Sequence, residues 1–332
     1  MKAIRLLSAG LAVGMLACTP EENPTEPSVK AGPALAAVKT YTAVDLGTLG
    51  GNVSEAFGIN PAGQVVGESD GHAFLWEKGV MTDLDPVGSE SRAFAINPAG
   101  QVVGSRRVTV EADLHAFLWD KGTLIDLGTL GGPSSTASGV NPARQVVGWS
   151  EISGTGDVHA FVWEKGVMTD LGTLGGCCSR ARGINPAGQV VGESVTADGE
   201  THAVLWENGI PTDLMPRGSD GVAFAINPAG QVVGESEGHA VLWKKGVMID
   251  LGTLGGSASR ATAINPAGQV VGRSFDGESV THAFIWDSGV MADLGTLGGT
   301  VSEATGINPA GQVVGRSDAE SGQVHATLWT RK

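Results

Sequence analysis

The chain predicts an all-β fold, a seven-bladed β-propeller of four-stranded antiparallel blades, and three observations carry the prediction. A paired phrase, Ile-Asn-Pro-Ala-Gly-Gln-Val-Val-Gly and then His-Ala-Phe-Leu-Trp, recurs seven times in 332 residues with small variations. Its asparagines stand at Asn60, Asn97, Asn141, Asn185, Asn227, Asn265 and Asn308, a spacing of 37 to 44 residues that belongs to solenoids, propellers and arrays. Each unit reads as four short strands, the content of one propeller blade. The two ends of the repeat region are also complementary. The seventh unit stops after Trp329 without a fourth strand, whereas Tyr41 to Leu46 precedes the first unit and matches the fourth-strand pattern of Val167 to Leu171. The N-terminal strand is therefore expected to complete the last blade and close the ring, which removes the open ends a linear array must cap.

Within the first unit, Ala56 to Asn60 and Gln64 to Ser69 are β-prone runs joined by Asn60-Pro61-Ala62-Gly63. Asn first, Pro second and Gly last is the preference of a type I turn. His72 to Trp76 and Val80 to Leu84 follow, joined through Glu77-Lys78-Gly79, where glycine suits the left-handed position of a hairpin bulge. These four runs are strands A to D. In strand C, His72, Phe74 and Trp76 fall on one face and Ala73 and Leu75 on the other. Apolar side chains on both faces predict a sheet covered on both sides. Burial of one tryptophan between stacked blades contributes at most about 5 kcal/mol before entropy, so each blade needs its neighbours. A parallel β-helix uses a shorter coil, and the Val-Val-Gly and Phe-Leu-Trp runs lack helical periodicity.

Ahead of the repeats, Met1 to Ala17 reads as an export signal. Lys2 and Arg5 form the charged start, Leu6 to Leu16 the apolar stretch, and Ala17 the small residue before the cleavage point. That apolar stretch is too short to span a bilayer. Met15-Leu16-Ala17-Cys18 resembles the lipobox of bacterial lipoproteins, which implies a lipid on Cys18; the alternative is plain secretion. Residues 18–39, rich in Pro, Glu and Ala, read as a tether, and residues 40–332 as the propeller. The only other cysteines are Cys177 and Cys178, so no disulfide framework is expected. The net charge of -14 repels phosphate backbones and argues against nucleic acid as a partner. It serves either to keep an exported protein soluble or to attract calcium or a basic partner. The expected product is a monomer at the outer membrane, facing periplasm or cell surface, or a secreted protein. Its membrane contact would run only through the lipid on Cys18.

Comparing the seven copies separates framework from variation. The distance from Asn to the Gly of Val-Val-Gly is always seven residues and from His to Trp always four, while the gap from that Gly to His is 5 residues in units 1 and 5 and 10 or 11 elsewhere. The variable segment is the strand B to C connection, which shares a face with the D to A connection, and insertions confined to one face often mark the binding face. The histidines His72, His115, His159, His202, His239, His282 and His325 each open a different strand C, so a repeated intra-blade hydrogen bond explains them better than a metal. The aspartates ending strand D, beginning with Asp45 and Asp83, read as turn-capping groups. Gly-Thr-Leu-Gly-Gly, first at 47–51, lacks the following helix and the Lys-Ser/Thr of a phosphate loop, and reads as a blade connector.

Residues that break the repeat are the binding candidates. Trp149 stands where other units carry Glu68, Ser105, Glu193, Glu235, Arg273 and Arg316; it reads either as an indole that stacks on a sugar or peptide or as a half-buried aromatic. Five residues before each Asn stand Glu55, Arg92, Thr136, Arg180, Val222, Arg260 and Glu303. If this end opens at the channel mouth, Arg92, Arg180, Arg182 and Arg260 form a basic arc suited to a carboxylate or sulfate, or else solvated charges at strand ends. Glu55 and Glu303 adjoin in a closed ring. Cys177 and Cys178 read as replacements of small residues, or as a strained vicinal bridge. No catalytic residue, metal or cofactor is expected.

The Ile-Asn-Pro-Ala-Gly-Gln-Val-Val-Gly phrase with His-Ala-Phe-Leu-Trp at 72–76 and 115–119 resembles the bacterial HAF-repeat family of extracellular repeat proteins, over nearly all of residues 43–330. Departures are His-Ala-Val at 202 and 239, His-Ala-Thr at 325, and Arg144 where the turn elsewhere has Gly. The resemblance implies an extracellular repeat protein and brings no catalytic motif with it. The leading expectation is a binding or scaffold module for a glycan, peptide or envelope protein. A glycan hydrolase or lyase is the enzyme alternative, and a spacer of the cell envelope the structural one.

Overall fold

In the computed structural model the described residues are 40–88, 90–108, 113–215 and 219–332. The expected signal, Cys18 and the tether lie outside them. Twenty-eight strands form seven four-stranded antiparallel sheets. Blade 1 has strands Ser54–Ile59, Val65–Ser69, His72–Glu77 and Val80–Asp83, paired in chain order. The last blade is completed by the first strand, Tyr41–Asp45, which runs antiparallel to Val324–Arg331 with Tyr41 opposite Arg331 and Asp45 opposite Thr327. The ring closes as the repeat pattern predicts.

Seven apolar clusters lie between successive blades, one at each junction. At the closing junction Ala56, Val65, Phe74 and Trp76 of blade 1 pack on Val314, Ala326 and Leu328 of blade 7. At the next, Val66, Ala73 and Leu75 of blade 1 meet Ala93, Val102, Phe117 and Trp119 of blade 2. The Phe-and-Trp face of one strand C thus covers the Ala-and-Leu face of the blade before it, the alternation a doubly covered sheet requires.

The strand A to B turn is built around its asparagine. Asn60 Oδ1 accepts the backbone N–H groups of Ala62 and Gln64, each at 3.0 Å, and Nδ2 donates to Gln64 Oε1 and to the carbonyl of Asn97 in the next blade. The same reach to the next blade is made by Asn97, Asn141, Asn185, Asn227 and Asn265, and Asn308 returns it to Asn60 at 3.2 Å. Seven buried amides therefore form a closed circle on the face of the tight turns.

The strand C to D connection differs from the expected bulge. Lys78 and Gly79 both have positive φ, 50° and 87°, and Glu77 pairs directly with Val80. This is a two-residue turn of the primed kind, whose twist matches the right-handed twist of the strands it joins.

The histidines take the intra-blade role expected of them. His159 Nδ1 meets Asp170 Oδ2 at 2.7 Å, and the other oxygen of Asp170 accepts the N–H of Gly172 at 2.7 Å. The pattern recurs around the ring, and in blade 7 it spans the closure, His325 to Asp45 at 2.7 Å. Each aspartate thus ties strand C to the start of the connector into the next blade. Serines finish the link: Ser54 Oγ donates to Gly47 O and accepts from the N–H of Ala326 in blade 7.

Candidate binding site at the channel mouth

Strand A carries the same irregularity in every blade. Its register against strand B slips between Ala56 and Gly58, Ala93 and Ala95, Ala137 and Gly139, Ala181 and Gly183, Ala223 and Ala225, Ala261 and Ala263, and Ala304 and Gly306. One residue per blade is left out of the ladder: Phe57, Phe94, Ser138, Arg182, Phe224, Thr262 or Thr305. A β-bulge re-aims a side chain, and here six of the seven, all but Phe57, line one cavity of about 460 Å³. Because they come from blades 2 to 7, that cavity lies on the ring axis.

The bulge also explains the glycine of Val-Val-Gly. A Cβ on Gly67 would stand 1.9 Å from the carbonyl oxygen of Glu55, and all seven glycines of this series meet the same strand A carbonyl at 1.8 or 1.9 Å. Strand B must yield its side chain where strand A bends toward it.

Above the bulges the mouth is ringed by pairs facing across strands A and B: Glu55 with Glu68, Arg92 with Ser105, Thr136 with Trp149, Arg180 with Glu193, Val222 with Glu235, Arg260 with Arg273, and Glu303 with Arg316. Every arginine of the expected basic arc is at this mouth, and every one is paired with a glutamate. Arg92 binds Glu68 of the preceding blade, Arg260 binds Glu235, and Arg180 and Arg182 share Glu193 at 3.5 and 2.9 Å. Glu55 and Glu303 do adjoin, and Arg316 joins them, at 2.7 Å to Glu55 and 2.9 Å to Glu303. The mouth is therefore a ring of paired opposite charges, because strand B supplies glutamates beside the strand A arginines. Burial weakens the Arg316 charge, but Glu55 and Glu303 outweigh it and hold this guanidinium above the ordinary arginine range.

The ring of charges is broken at blade 3, where Thr136 and Trp149 carry none and both line the cavity. Trp149, Thr136 and Ser138 of blade 3 line it with Arg92, Phe94 and Ser105 of blade 2. Trp149 is half-buried, with the Arg180 guanidinium 5.8 Å from its ring centroid. Phe224 lies between Arg182 and Arg260, at 6.0 and 5.2 Å, and Phe57 and Phe94 meet at 5.5 Å. The structure thus gathers all seven candidates from the sequence, Trp149, Arg92, Arg180, Arg182, Arg260, Glu55 and Glu303, at one mouth. Phe94, Phe224, Ser138, Thr262 and Thr305 were not singled out by the sequence. They share one signal, being the third residue before each Asn and changing identity from copy to copy.

A smaller cavity of about 350 Å³ beside blade 1 is lined by Glu55, Glu68, Phe57, Asp70, Val53 and Arg92. Burial acts most strongly on Glu68 and raises its carboxyl above the usual range; Arg92 opposes the shift and Glu55 adds to it.

No family model matches this chain, and no curated protein does. Among solved structures it is similar to a chain of the mitotic checkpoint complex, 13% identical over 93% of this chain and 99% of that one, with a TM-score of 0.52. It is similar also to the β-propeller domain of the Trilobed protease from Pyrococcus furiosus, 11% identical over 84% and 97%, TM-score 0.52. That domain is described as having an open velcro topology, whereas here the first strand pairs with the last. The putative TolB from Agrobacterium tumefaciens matches at 12% identity over 85% and 91%, TM-score 0.48. At such identities the likeness is one of fold alone.

Proposed function

We propose that this protein is a binding module that takes a glycan into the channel mouth on its variable-loop face. The observation that supports the reading is where the copies differ. In a chain whose framework is repeated seven times, strand A changes identity at the bulge and two residues before it, strand B changes opposite the latter, and the axial cavity is lined by the bulge residues of six blades and by the other two positions of blades 2 and 3. The Trp149, Phe94 and Phe224 rings offer flat apolar surfaces, which suit the C–H face of a sugar. Hydroxyls of Ser105, Thr136 and Ser138, together with ion-paired arginines and glutamates, offer donors and acceptors to its hydroxyl edge. Export and a lipid on Cys18 belong to the same proposal, since they would present this face to extracellular or periplasmic polymers. Labelled fatty acid incorporated by the native chain but not by Cys18→Ser tests the anchor.

Glycan and peptide arrays probed with the purified protein test the binding. Retention on glycans, reduced at least tenfold by Trp149→Ala or Arg182→Ala, is the expected result. Blank glycan spots, or capture by peptides alone, overturn it.

One observation favours an enzymatic second reading, a glycan hydrolase. Glu68, with its raised carboxyl, faces Glu55 across the blade 1 hairpin, while Glu55 lies on the Arg316 guanidinium. Glycoside hydrolysis asks for two carboxyls at the scissile bond, of which the general acid is the one raised above the usual range. Turnover of a polysaccharide panel, falling about 10²-fold or more in both Glu68→Gln and Glu55→Gln, would establish it. A panel without turnover removes it.

A further inference from the structure

Cys177 and Cys178 belong to the strand Gly175–Ile184 of blade 4, in the stretch between Gly175 and Ser179 that is unpaired with strand B. In other blades the same places hold Pro133 and Ser134, Ser257 and Ala258, or Thr300 and Val301. Both cysteines are free thiols, and Cys177 is exposed. Their Sγ atoms lie 2.6 Å apart. Into this pair the long B to C loop of blade 3 brings Asp157, and its carboxylate and the two sulfurs lie within 4.8 Å of one another. Among the described residues no other three His, Cys, Asp or Glu side chains gather in this way; the histidines are turned to their own strand D aspartates.

We propose that Cys177, Cys178 and Asp157 form a surface site for a thiophilic divalent d¹⁰ cation, of which Zn²⁺ is the type. Two sulfurs and a carboxylate oxygen are three of the four ligands a tetrahedral centre takes, with bonds of about 2.3 Å to sulfur and about 2.0–2.2 Å to oxygen. Such bonds place ligand atoms somewhat under about 4 Å apart, so the thiols must swing open by roughly 1 Å, a side-chain rotation that an exposed cysteine allows. The remaining position stays open to water. Binding exchanges two S–H protons for two metal–sulfur bonds and releases both protons to solvent. The acidic chain, at -14, favours arrival of the cation. A vicinal disulfide would satisfy the two sulfurs alone and would leave Asp157 without a part; the carboxylate is what distinguishes a metal site. The ligands come from two blades, so the ion would clamp the blade 3 loop to blade 4. Arg180, two residues beyond Cys178, already reaches over Trp149 of blade 3.

Cd²⁺ is the probe, because its bonds to thiolate give an ultraviolet charge-transfer band. The reduced full chain, titrated with Cd²⁺, is expected to develop that band to saturation at one equivalent and to lose it to competing Zn²⁺. Cys18→Ser should keep the band, and the Cys177→Ser/Cys178→Ser double variant should abolish it. The double variant is expected to fold, since serines occupy the matching places Ser134 and Ser257, and an unchanged circular dichroism melt checks this. Asp157→Asn should weaken binding at least tenfold. Absence of the band after reduction, its survival in the double cysteine variant, or indifference to Asp157→Asn would each overturn the site. None of these readouts depends on a glycan.

Discussion

Like five of the other turn asparagines, Asn185 uses all of its hydrogen-bonding capacity. Two backbone N–H groups reach its oxygen, and its two amide hydrogens go to a glutamine and to the neighbouring blade. At about 1 kcal/mol net per bond and with the side chain buried, Asn185→Ala is expected to cost about 4 kcal/mol, read as a lower midpoint in a denaturant titration. The histidines differ among themselves. His202 is buried, which opposes its charging, but hydrogen bonds and charges from Asp213 and Glu200 together outweigh burial and raise its pKa. A histidine raised in the folded state lends stability that is fully present below its unfolded pKa of about 6.5 and is lost as pH rises through the folded value. His202→Gln should therefore destabilise more at pH 5 than at pH 8; an equal loss at both would contradict the assignment. That each histidine makes an intra-blade hydrogen bond and each aspartate caps a turn was legible in the sequence, because each copy repeats both residues; that they bind each other was not, because strands C and D had to be set in register first. The bulge was not. It occurs once in every blade, so it leaves all internal spacings equal, and only strand pairing exposes it.

Among the elements, strand B shows how tightly the blade is specified. Its Val-Val side chains fill two different inter-blade clusters, and its glycine lies under a strand A carbonyl. A methyl group on Gly192 would stand 1.9 Å from the carbonyl oxygen of Arg180. Gly192→Ala is expected to cost about 3 kcal/mol through overpacking, and a melting curve that does not shift would show strand A to be more yielding than its bulge implies. Strand existence and order followed directly from the sequence, since Gly and Pro mark every turn. Strand ends were less legible. Strand A begins at Ser54 in blade 1 and already at Gly131 in blade 3, because small residues in the connector can join the ladder only when a long neighbouring hairpin is there to receive them.

For the molecule as a whole, stability rests on closure. The strand Tyr41–Asp45 contributes its ladder to blade 7, Asp45 binds His325, and Leu46 donates to the carbonyl of Ala326 at 2.9 Å. Without residues 40–46 the last blade has a bare edge and no link to blade 1 through this strand. Such a variant should melt at lower temperature and over a broader range, and a sharp, unshifted calorimetric transition would show that closure is dispensable. At this scale the candidate site was half legible. Strand-end charges could be found by comparing copies, but their cancellation needed the glutamates of strand B to be placed beside them.

The ends of the folded chain meet where the other blades have a hairpin turn. Thr330 pairs with Thr42 as Glu77 pairs with Val80, and Arg331 and Tyr41, which face each other, stand where Lys78 and Gly79 make the turn in blade 1. The Lys332 N–H already donates to the Thr40 carbonyl at 3.0 Å. The two ends thus carry the ladder past the place of the turn, and the order in which blades are synthesised has no counterpart in the finished ring. A circular permutant that joins Lys332 to Thr40 through an added Asn-Gly turn and begins instead at Thr155, in the exposed loop of blade 3, should fold to the same propeller with the same far-ultraviolet spectrum.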